Sequence, residues 1–415
     1  MIGPDPYSFA ELWRQYRRCR RGKRNTINAL RFEVDAEANL LALQKELREH
    51  TYRPGRSVCF VTDGPKPREV FAAGFRDRVV HHLLVSWQEP LFERRFIHDS
   101  YACREGKGTL AASDRLMDLL RKVTANGRRP AWALKLDVAS FFASIHKETL
   151  YEILARACRH PEVRWLTRTI LFHDPTRDYV FRTRGPGAAR AAGRPGEPGY
   201  PVPDRKSLFG KENQRGLPIG NLTSQFWGNV YLNELDHFVK RRLRVKSYVR
   251  YVDDLVLLSP DRSELAEWRV QIEGFLAERL HLALRAGTHE PEPAGRGADF
   301  VGWRTFRSHR LPRHSTIGRL RRTVHEWASA ARSPSRPSNA TVLELRSAGK
   351  ASMEGLRSRL APYAGHLCHG ASRRDWTTVW SSEPWLAALF SRDETWRPVP
   401  RWSSVRLARA PTFAA

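Results

Sequence analysis

Cysteine is scarce and scattered: five in 415 residues, at positions 19, 59, 103, 158 and 368, with no Cys-x-x-Cys pair. That pattern excludes a disulfide framework and a zinc finger, and it fits reduced thiols in the cytoplasm. No apolar run approaches the ~20 residues needed to cross a bilayer. The N-terminus is polar and turns basic over residues 17–24, with no secretory leader pattern, so a cytoplasmic protein with no membrane partner is expected. No internal repeat is present. Acid is also in short supply: Asp+Glu number 44 against 71 Lys+Arg, a formal charge of +27. A surplus of that size is expected of a protein that holds a phosphate backbone. Salt should then weaken binding with a slope of about −0.9 per duplex phosphate neutralised.

Against that basic background, two adjacent acids stand out in Arg-Tyr-Val-Asp-Asp-Leu-Val-Leu-Leu-Ser, residues 250–259. Residues 249–252 and 255–258 read as strands, with Asp253-Asp254 as the tight turn between them. An acidic hairpin tip is ordinarily just solvated, since Asp favours turns. A third acid changes the weight of the pair. In Ala131-Trp-Ala-Leu-Lys-Leu-Asp137-Val-Ala-Ser-Phe-Phe142, residues 131–138 read as a buried strand with Asp137 near its end. A strand-end Asp is also a common helix cap. Acids from two strands meeting across one sheet would grip two Mg²⁺ ions, or Mn²⁺ as a substitute, because hard cations take oxygen ligands. Two such ions ~4 Å apart activate an attacking hydroxyl and stabilise a leaving phosphate oxygen.

Five ordered motifs resemble those of reverse transcriptases. Tyr251-Val-Asp-Asp254 is similar to their catalytic box, and Asp137 with Phe141-Phe142 to their first catalytic motif. Gly216-Leu-Pro-Ile-Gly-Asn-Leu-Thr-Ser-Gln225 resembles the motif between them. Lys66-Pro-Arg-Glu-Val-Phe-Ala-Ala-Gly-Phe-Arg-Asp-Arg78 resembles their finger motifs, and Asp299-Phe-Val-Gly-Trp303 the strand after the palm. The likeness runs from about residue 10 to about 370. Ile-Gly-x-x-x-Ser-Gln at 219–225 is similar to the variant found in diversity-generating retroelements. So are His81-His82, Phe92-Glu-Arg-Arg95, Ser100-Tyr-Ala-Cys-Arg104 and Lys206-Ser-Leu-Phe209.

The resemblance implies an RNA-directed DNA polymerase whose partners are template RNA, the RNA–DNA duplex, deoxynucleotide triphosphates and a small basic accessory protein. In the retroelement type, a template RNA is copied with errors at adenine. Asp137, Asp253 and Asp254 would be catalytic and metal-binding. Phe142, five residues past Asp137, would block a ribose 2′-hydroxyl; the bland alternative is ordinary core. Arg68 would fork onto the triphosphate, with Lys66 a weaker partner. Ile219 and Gly220 would lie near the incoming nucleotide and its template base. Arg319, Arg321 and Arg322 would grip the duplex. The sequence departs from the family in having no lysine in Leu282-Ala-Leu-Arg-Ala-Gly-Thr-His289 to protonate pyrophosphate. Arg285 and His289 are the substitutes there, and arginine is a poor acid.

The expected fold class is α/β with an α+β palm: a right-hand polymerase with fingers, an antiparallel palm sheet and a helical thumb. Helices and fingers fill 1–130, around a basic joint at 17–24 and two strands over 57–73. The palm spans 131–306, with a flexible Gly/Pro/Ala/Arg insertion at 182–205, a long helix over 222–243 and a strand at 298–306. Helices at 315–330 and 351–369 make a thumb over 307–370, and a Trp-rich tail follows at 371–415. Neither a nuclease motif nor an RNase H constellation is present. Other readings that fit the residues are an antiphage-defence or retron-type reverse transcriptase and, in another class, a catalytically silent RNA-binding scaffold.

Overall fold

A computed structural model describes residues 5–22, 26–62, 66–182, 200–212, 214–287, 289–330, 349–371, 373–382, 390–392 and 398–400, with 195, 197 and 386. The fold is mixed α/β with mainly antiparallel sheets. The chain forms two compact units: Met1–Ala112, Leu134–Leu257 and Asp261–Pro291 in the first, and Ser113–Ala133, Leu258–Pro260 and Glu292–Ala415 in the second.

In the first unit, α1 (Phe9–Arg20) starts where the Ser8 side chain accepts from the Glu11 amide, and it buries Leu12, Tyr16 and Cys19 at helical spacing. Arg17, Arg18 and Arg20 lie in its last turn. The expected basic joint is thus half helix, because the apolar stripe carries the helix through it; residues 23–25 lie outside the described residues. Helices α2 (Ile27–Val34) and α3 (Ala36–Arg48) follow, and α1 and α2 both pack on α4 (Phe75–Glu93). Strands β1 (Ser57–Val61) and β2 (Glu69–Ala72) pair antiparallel, and β4 (Tyr179–Phe181) pairs parallel to β1.

The central sheet of this unit orders β5 (Ser247–Tyr251), β6 (Asp254–Ser259) and β3 (Trp132–Asp137). Along β3 the side chains alternate: Leu134 and Leu136 are fully buried, while Lys135 and Asp137 share the partly open face. Three helices, α6 (Phe141–Ser144), α7 (Lys147–Ala157) and α8 (Pro161–Leu171), follow β3. Helix α9 (Leu222–His237) is buried nearly all round, with Phe226, Trp227, Val230, Tyr231 and Leu235 in the core. Each such large apolar side chain contributes roughly 1.5–3 kcal/mol of burial. The expected continuous helix over 222–243 changes form at its end: Phe238–Arg242 is a π-helix, closed by the Leu243 amide donating to Phe238 O at 3.1 Å. Helix α10 (Arg262–Leu280) is capped by Asp261, whose carboxylate accepts from the Ser263 amide.

The second unit holds most of α5 (Thr109–Val123) and an antiparallel sheet of β8 (Ala298–Phe300), β9 (Trp303–Thr305) and β10 (Arg310–Pro312). The single strand expected at 298–306 is therefore a hairpin. Val301 and Gly302, both at positive φ (44° and 90°), turn the chain inside an apolar run. Strand β7 (Glu292–Pro293) pairs with Trp132 and Ala133. Helix α11 (His314–Ala330) shares one core with the helix Gly349–Leu367 and the described part of the tail, through Leu320, Val324, Leu360, Trp376, Trp380 and Phe390. The described tail thus packs on these helices. Trp385, Trp396 and Trp402 lie outside the described residues, as do residues 332–339, where a break between the helices is expected. His366, part of a metal-like His-x-Cys-His run, stacks on Trp303 at 3.8 Å and bonds Gly302 O. Among the described residues no helix is long and apolar enough to cross a membrane.

Candidate active site

Three chain segments of the first unit meet at the end of β3. The Val138 amide donates to Asp253 O at 3.4 Å, the Ala139 amide to Ala283 O at 2.8 Å, and the Arg285 amide to Asp137 O at 2.8 Å. The hairpin turn is Val252-Asp253 rather than Asp253-Asp254, since Asp254 already begins β6. Val252 sits at φ +53°, a conformation that a β-branched residue rarely adopts and that costs about 1–3 kcal/mol.

The structure shows what holds that turn. Arg250 and Asp236 are both fully buried and form a two-pronged ion pair, Nε to Oδ1 at 2.7 Å and Nη2 to Oδ2 at 2.5 Å. The remaining guanidinium nitrogen donates to Val252 O at 3.0 Å, and Nη2 also reaches Ser100 Oγ at 3.1 Å. The Tyr248 hydroxyl completes the Asp236 carboxylate at 2.8 Å. The segment around Ser100 lies along β5, with the Arg250 amide on Asp99 O and the Tyr101 amide on Arg250 O. Sequence reasoning missed this network. The available signal was a charged residue inside the apolar strand run Tyr248-Val-Arg-Tyr-Val252, which a buried strand tolerates only if the charge is paired.

The Asp253 carboxylate feels its two neighbours. Burial, then the charges of Asp137 and Asp254, push the Asp253 carboxyl up to about 6, while Arg68 pulls it down. Asp137 is held by Arg285, Nη1 to Oδ2 at 2.6 Å, and Asp254 by Lys135 at 3.1 Å. Lys135 reaches Asp254 because it shares a strand face with Asp137, two residues on. Among the described residues no three His, Cys, Asp or Glu side chains close on a common metal-holding point; two cationic side chains already hold two of the carboxylates. The donor set nonetheless fits a hard cation. All three groups are carboxylates, and the like-charge pressure on Asp253 is what a divalent ion would relieve.

A cationic cluster faces these acids. Burial and the charges of Arg205, Arg285, Lys66 and Arg68 hold the Lys206 ammonium below its ordinary value. Lys206 is carried there by buried Glu69 of β2, which accepts from the Leu208 amide at 2.9 Å, from the Tyr200 hydroxyl at 2.9 Å and from the Ser207 hydroxyl. The last residues of the expected flexible insertion, from Tyr200 on, are therefore anchored; residues 183–194, 196, 198 and 199 lie outside the described residues. His289 is turned away from acid duty, with its ring nitrogens on Lys135 O (3.1 Å) and Arg285 O (2.6 Å). Arg285 is committed to Asp137.

The other expected residues fall in two places. Phe142 is half-buried, its ring 5.2 Å from that of Phe141 and packed against Gly228 of α9, where a Cβ would come within 3.1 Å of it. Ile219 is half-buried and its carbonyl accepts from the Phe71 amide of β2 at 2.8 Å. Gly220 is at φ +116°, and a Cβ there would stand 2.7 Å from Val70 Cγ1 and 3.2 Å from Phe71 O. Gly220→Ala is accordingly expected to cost about 1–3 kcal/mol in a denaturant melt. Adding Val70→Ala should restore only part of it, because the backbone strain and the Phe71 carbonyl remain; full recovery would mean that Val70 alone sets the requirement. Arg319, Arg321 and Arg322 are exposed on α11 in the second unit, opposite buried Leu320 and Val324.

A family model described as "Reverse transcriptase (RNA-dependent DNA polymerase)" matches residues 66–285, just over half of the chain. "Protein YkfC" of Escherichia coli (strain K12) is 22% identical over 315 residues, covering 68% of this chain and 74% of that protein. Among solved structures, telomerase from Candida albicans in complex with the TWJ fragment of telomeric RNA matches with TM-score 0.39 at 10% identity, over 79% of this chain and 56% of that one. Apo telomerase from Candida tropicalis, truncated from the C-terminal domain, matches with TM-score 0.42 at 8% identity, over 63% and 55%. The chain thus spans a little over half the length of these two telomerase chains.

Proposed function

Given that the chain belongs to the reverse transcriptase (RNA-dependent DNA polymerase) family, we propose that it copies template RNA into cDNA at the carboxylate site built by β3 and the β5–β6 hairpin. The observation that carries this is the gathering of Asp137, Asp253 and Asp254 at two strand ends, with Arg68 close enough to act on Asp253. Asp137 and Asp253 would hold two Mg²⁺ ions, or Mn²⁺ in their place, and Asp254 would orient them. Bound there, the ions would supply Lewis-acid activation of the primer 3′-hydroxyl and neutralise charge on the leaving pyrophosphate. For that to happen Arg285 and Lys135 must release Asp137 and Asp254 and pair with phosphate oxygens instead.

The chain's own residues position the substrates. Arg68 and Lys66, with Lys206 beside them, bind the triphosphate of a deoxynucleotide. Phe142 excludes a ribose 2′-hydroxyl, and Ile219 with Gly220 lies against the nascent base pair. On this reading residues 1–130 are the N-terminal helices and fingers, 131–306 the palm, 307–370 the thumb and 371–415 a tail. Arg319, Arg321 and Arg322 hold the template–primer duplex by its phosphates. The test is primer extension on a primed RNA template with Mg²⁺ and deoxynucleotides, beside Asp253→Ala/Asp254→Ala. Extension by the wild type alone supports the reading. No extension with either Mg²⁺ or Mn²⁺, native RNA and accessory protein supplied, replaces it with a silent RNA-binding scaffold.

The finer assignment is a diversity-generating retroelement enzyme with a small basic accessory protein, supported by Ile-Gly-x-x-x-Ser-Gln at 219–225. Isoleucine makes none of the hydrogen bonds that glutamine would, so discrimination at the template base is loosened. Ile219→Gln is expected to reduce misincorporation opposite adenine, read by sequencing the cDNA. An unchanged adenine error rate in an active Ile219→Gln enzyme removes the role of this residue in infidelity.

A further inference from the structure

The far end of α9 carries a second basic surface that the catalytic reading leaves unused. Its N-terminal end follows Gly220, and sixteen residues later, past Asp236 and its pair with Arg250, it reaches residues that take no part in the carboxylate site. There the helix passes into the π-helix Phe238–Arg242. π-Helical turns are rare and collect at functional positions. This one aims Phe238, Arg241 and Arg242 into a cavity of about 860 Å³, also lined by Phe275 and Arg279 of α10. A neighbouring cavity of about 600 Å³ shares Arg156 and Arg241 with it and adds Arg94, Arg95 and Arg159. The two form one continuous groove within the first unit.

Its chemistry is specific. Arg94, Arg159, Arg241, Arg242 and Arg279 are exposed, and none forms an ion pair with a described carboxylate. Of the three acids present, Glu234 is engaged by Arg156 at 3.4 Å, which leaves Glu152 and Glu278 against the arginines. Between them Phe238 and Phe275 stack face to face at 4.4 Å and 16°, both half-buried with an edge left open to the groove. A protein-facing groove would pair these guanidinium groups or bury these rings. Forked cations around an open aromatic platform are instead the chemistry that takes a phosphate backbone with an unpaired base stacked beside it.

We propose that this groove binds single-stranded RNA at a site separate from the polymerisation site, holding a stretch of the template RNA while another stretch is copied. The RNA partner rests on the polymerase reading; the groove itself does not. The experiment measures the affinity of the full-length protein for a fluorescent, unprimed single-stranded RNA across a salt series. Arg159→Gln/Arg241→Gln/Arg242→Gln is expected to lower the slope of log affinity against log salt by about 2, at about 0.7 for each phosphate no longer neutralised. Phe275→Leu keeps the apolar volume and removes the platform, and should weaken binding about tenfold. Both variants should extend a short primed duplex like the wild type, and their melting temperatures check folding. A wild-type slope and affinity in the folded triple variant overturns the proposal, and wild-type affinity in Phe275→Leu overturns its stacking half. Failure of the polymerase reading shows separately, as a wild type that binds RNA without extending a primer.

Discussion

Asp253→Asn is expected to abolish primer extension and, without Mg²⁺, to make the protein more stable than the wild type. Loss of a carboxylate proposed to hold the ions should exceed the ~10–100-fold effect of removing an outer partner of a metal ligand. The stability gain follows from the raised carboxyl. A group that titrates near 6 when folded and at 3.8 when unfolded is penalised as its charged form in the native state. That penalty is absent below about pH 3.8, grows as pH rises through the interval and is complete above about 6. Its size is on the order of 3 kcal/mol, from about two units at 1.36 kcal/mol each. Asparagine keeps the shape and removes the charge. At pH 7.5 in chelator, the variant should therefore melt several degrees above the wild type. The gap should close toward pH 4 and also on adding Mg²⁺, which binds only the wild-type carboxylate. A variant that is inactive yet no more stable at neutral pH would mean that burial and the charges of Asp137 and Asp254 do not raise the Asp253 carboxyl in solution.

The sequence carried this much because strands and carboxylates are written locally. The alternation of Leu134 and Leu136 with Lys135 and Asp137 marks β3, and the acid pair between two apolar runs marks the hairpin. Helix α9 was legible from its apolar length, and α11 from its spacing. What was not legible depends on backbone conformation or on partners distant in sequence. A π-turn at Phe238–Arg242 has no residue signature distinct from the α-helix it interrupts. The Val301-Gly302 turn hides in an apolar run that reads as one strand. The engagement of Asp137 by Arg285 and of Asp254 by Lys135 joins residues that only the folded sheet brings together. Lys206 is brought beside Arg285, Lys66 and Arg68 by a loop that Glu69, far upstream, helps to anchor.

Arg250→Met is expected to cost about 3–5 kcal/mol and to lose nearly all extension activity. The stability loss is that of a broken buried pair: Asp236, with no exposed surface, would keep only the Tyr248 hydroxyl. Arg250→Lys should not rescue it, since a single ammonium cannot span both Asp236 oxygens and Val252 O. The decisive variant is Arg250→Met/Asp236→Leu, which removes both charges and fills their space with apolar groups. Such replacements of buried ion pairs are often neutral or stabilising, so the double variant should melt close to the wild type. Activity should nonetheless stay low. The hydrogen bond to the Val252 carbonyl is still missing, and it no longer offsets the unfavourable φ of Val252, the residue before Asp253. Stability measured by melting and turnover by primer extension thereby separate the two roles. Recovery of both in the double variant would reduce Arg250 to a folding residue, whereas recovery of stability alone makes it the group that positions the turn carrying Asp253.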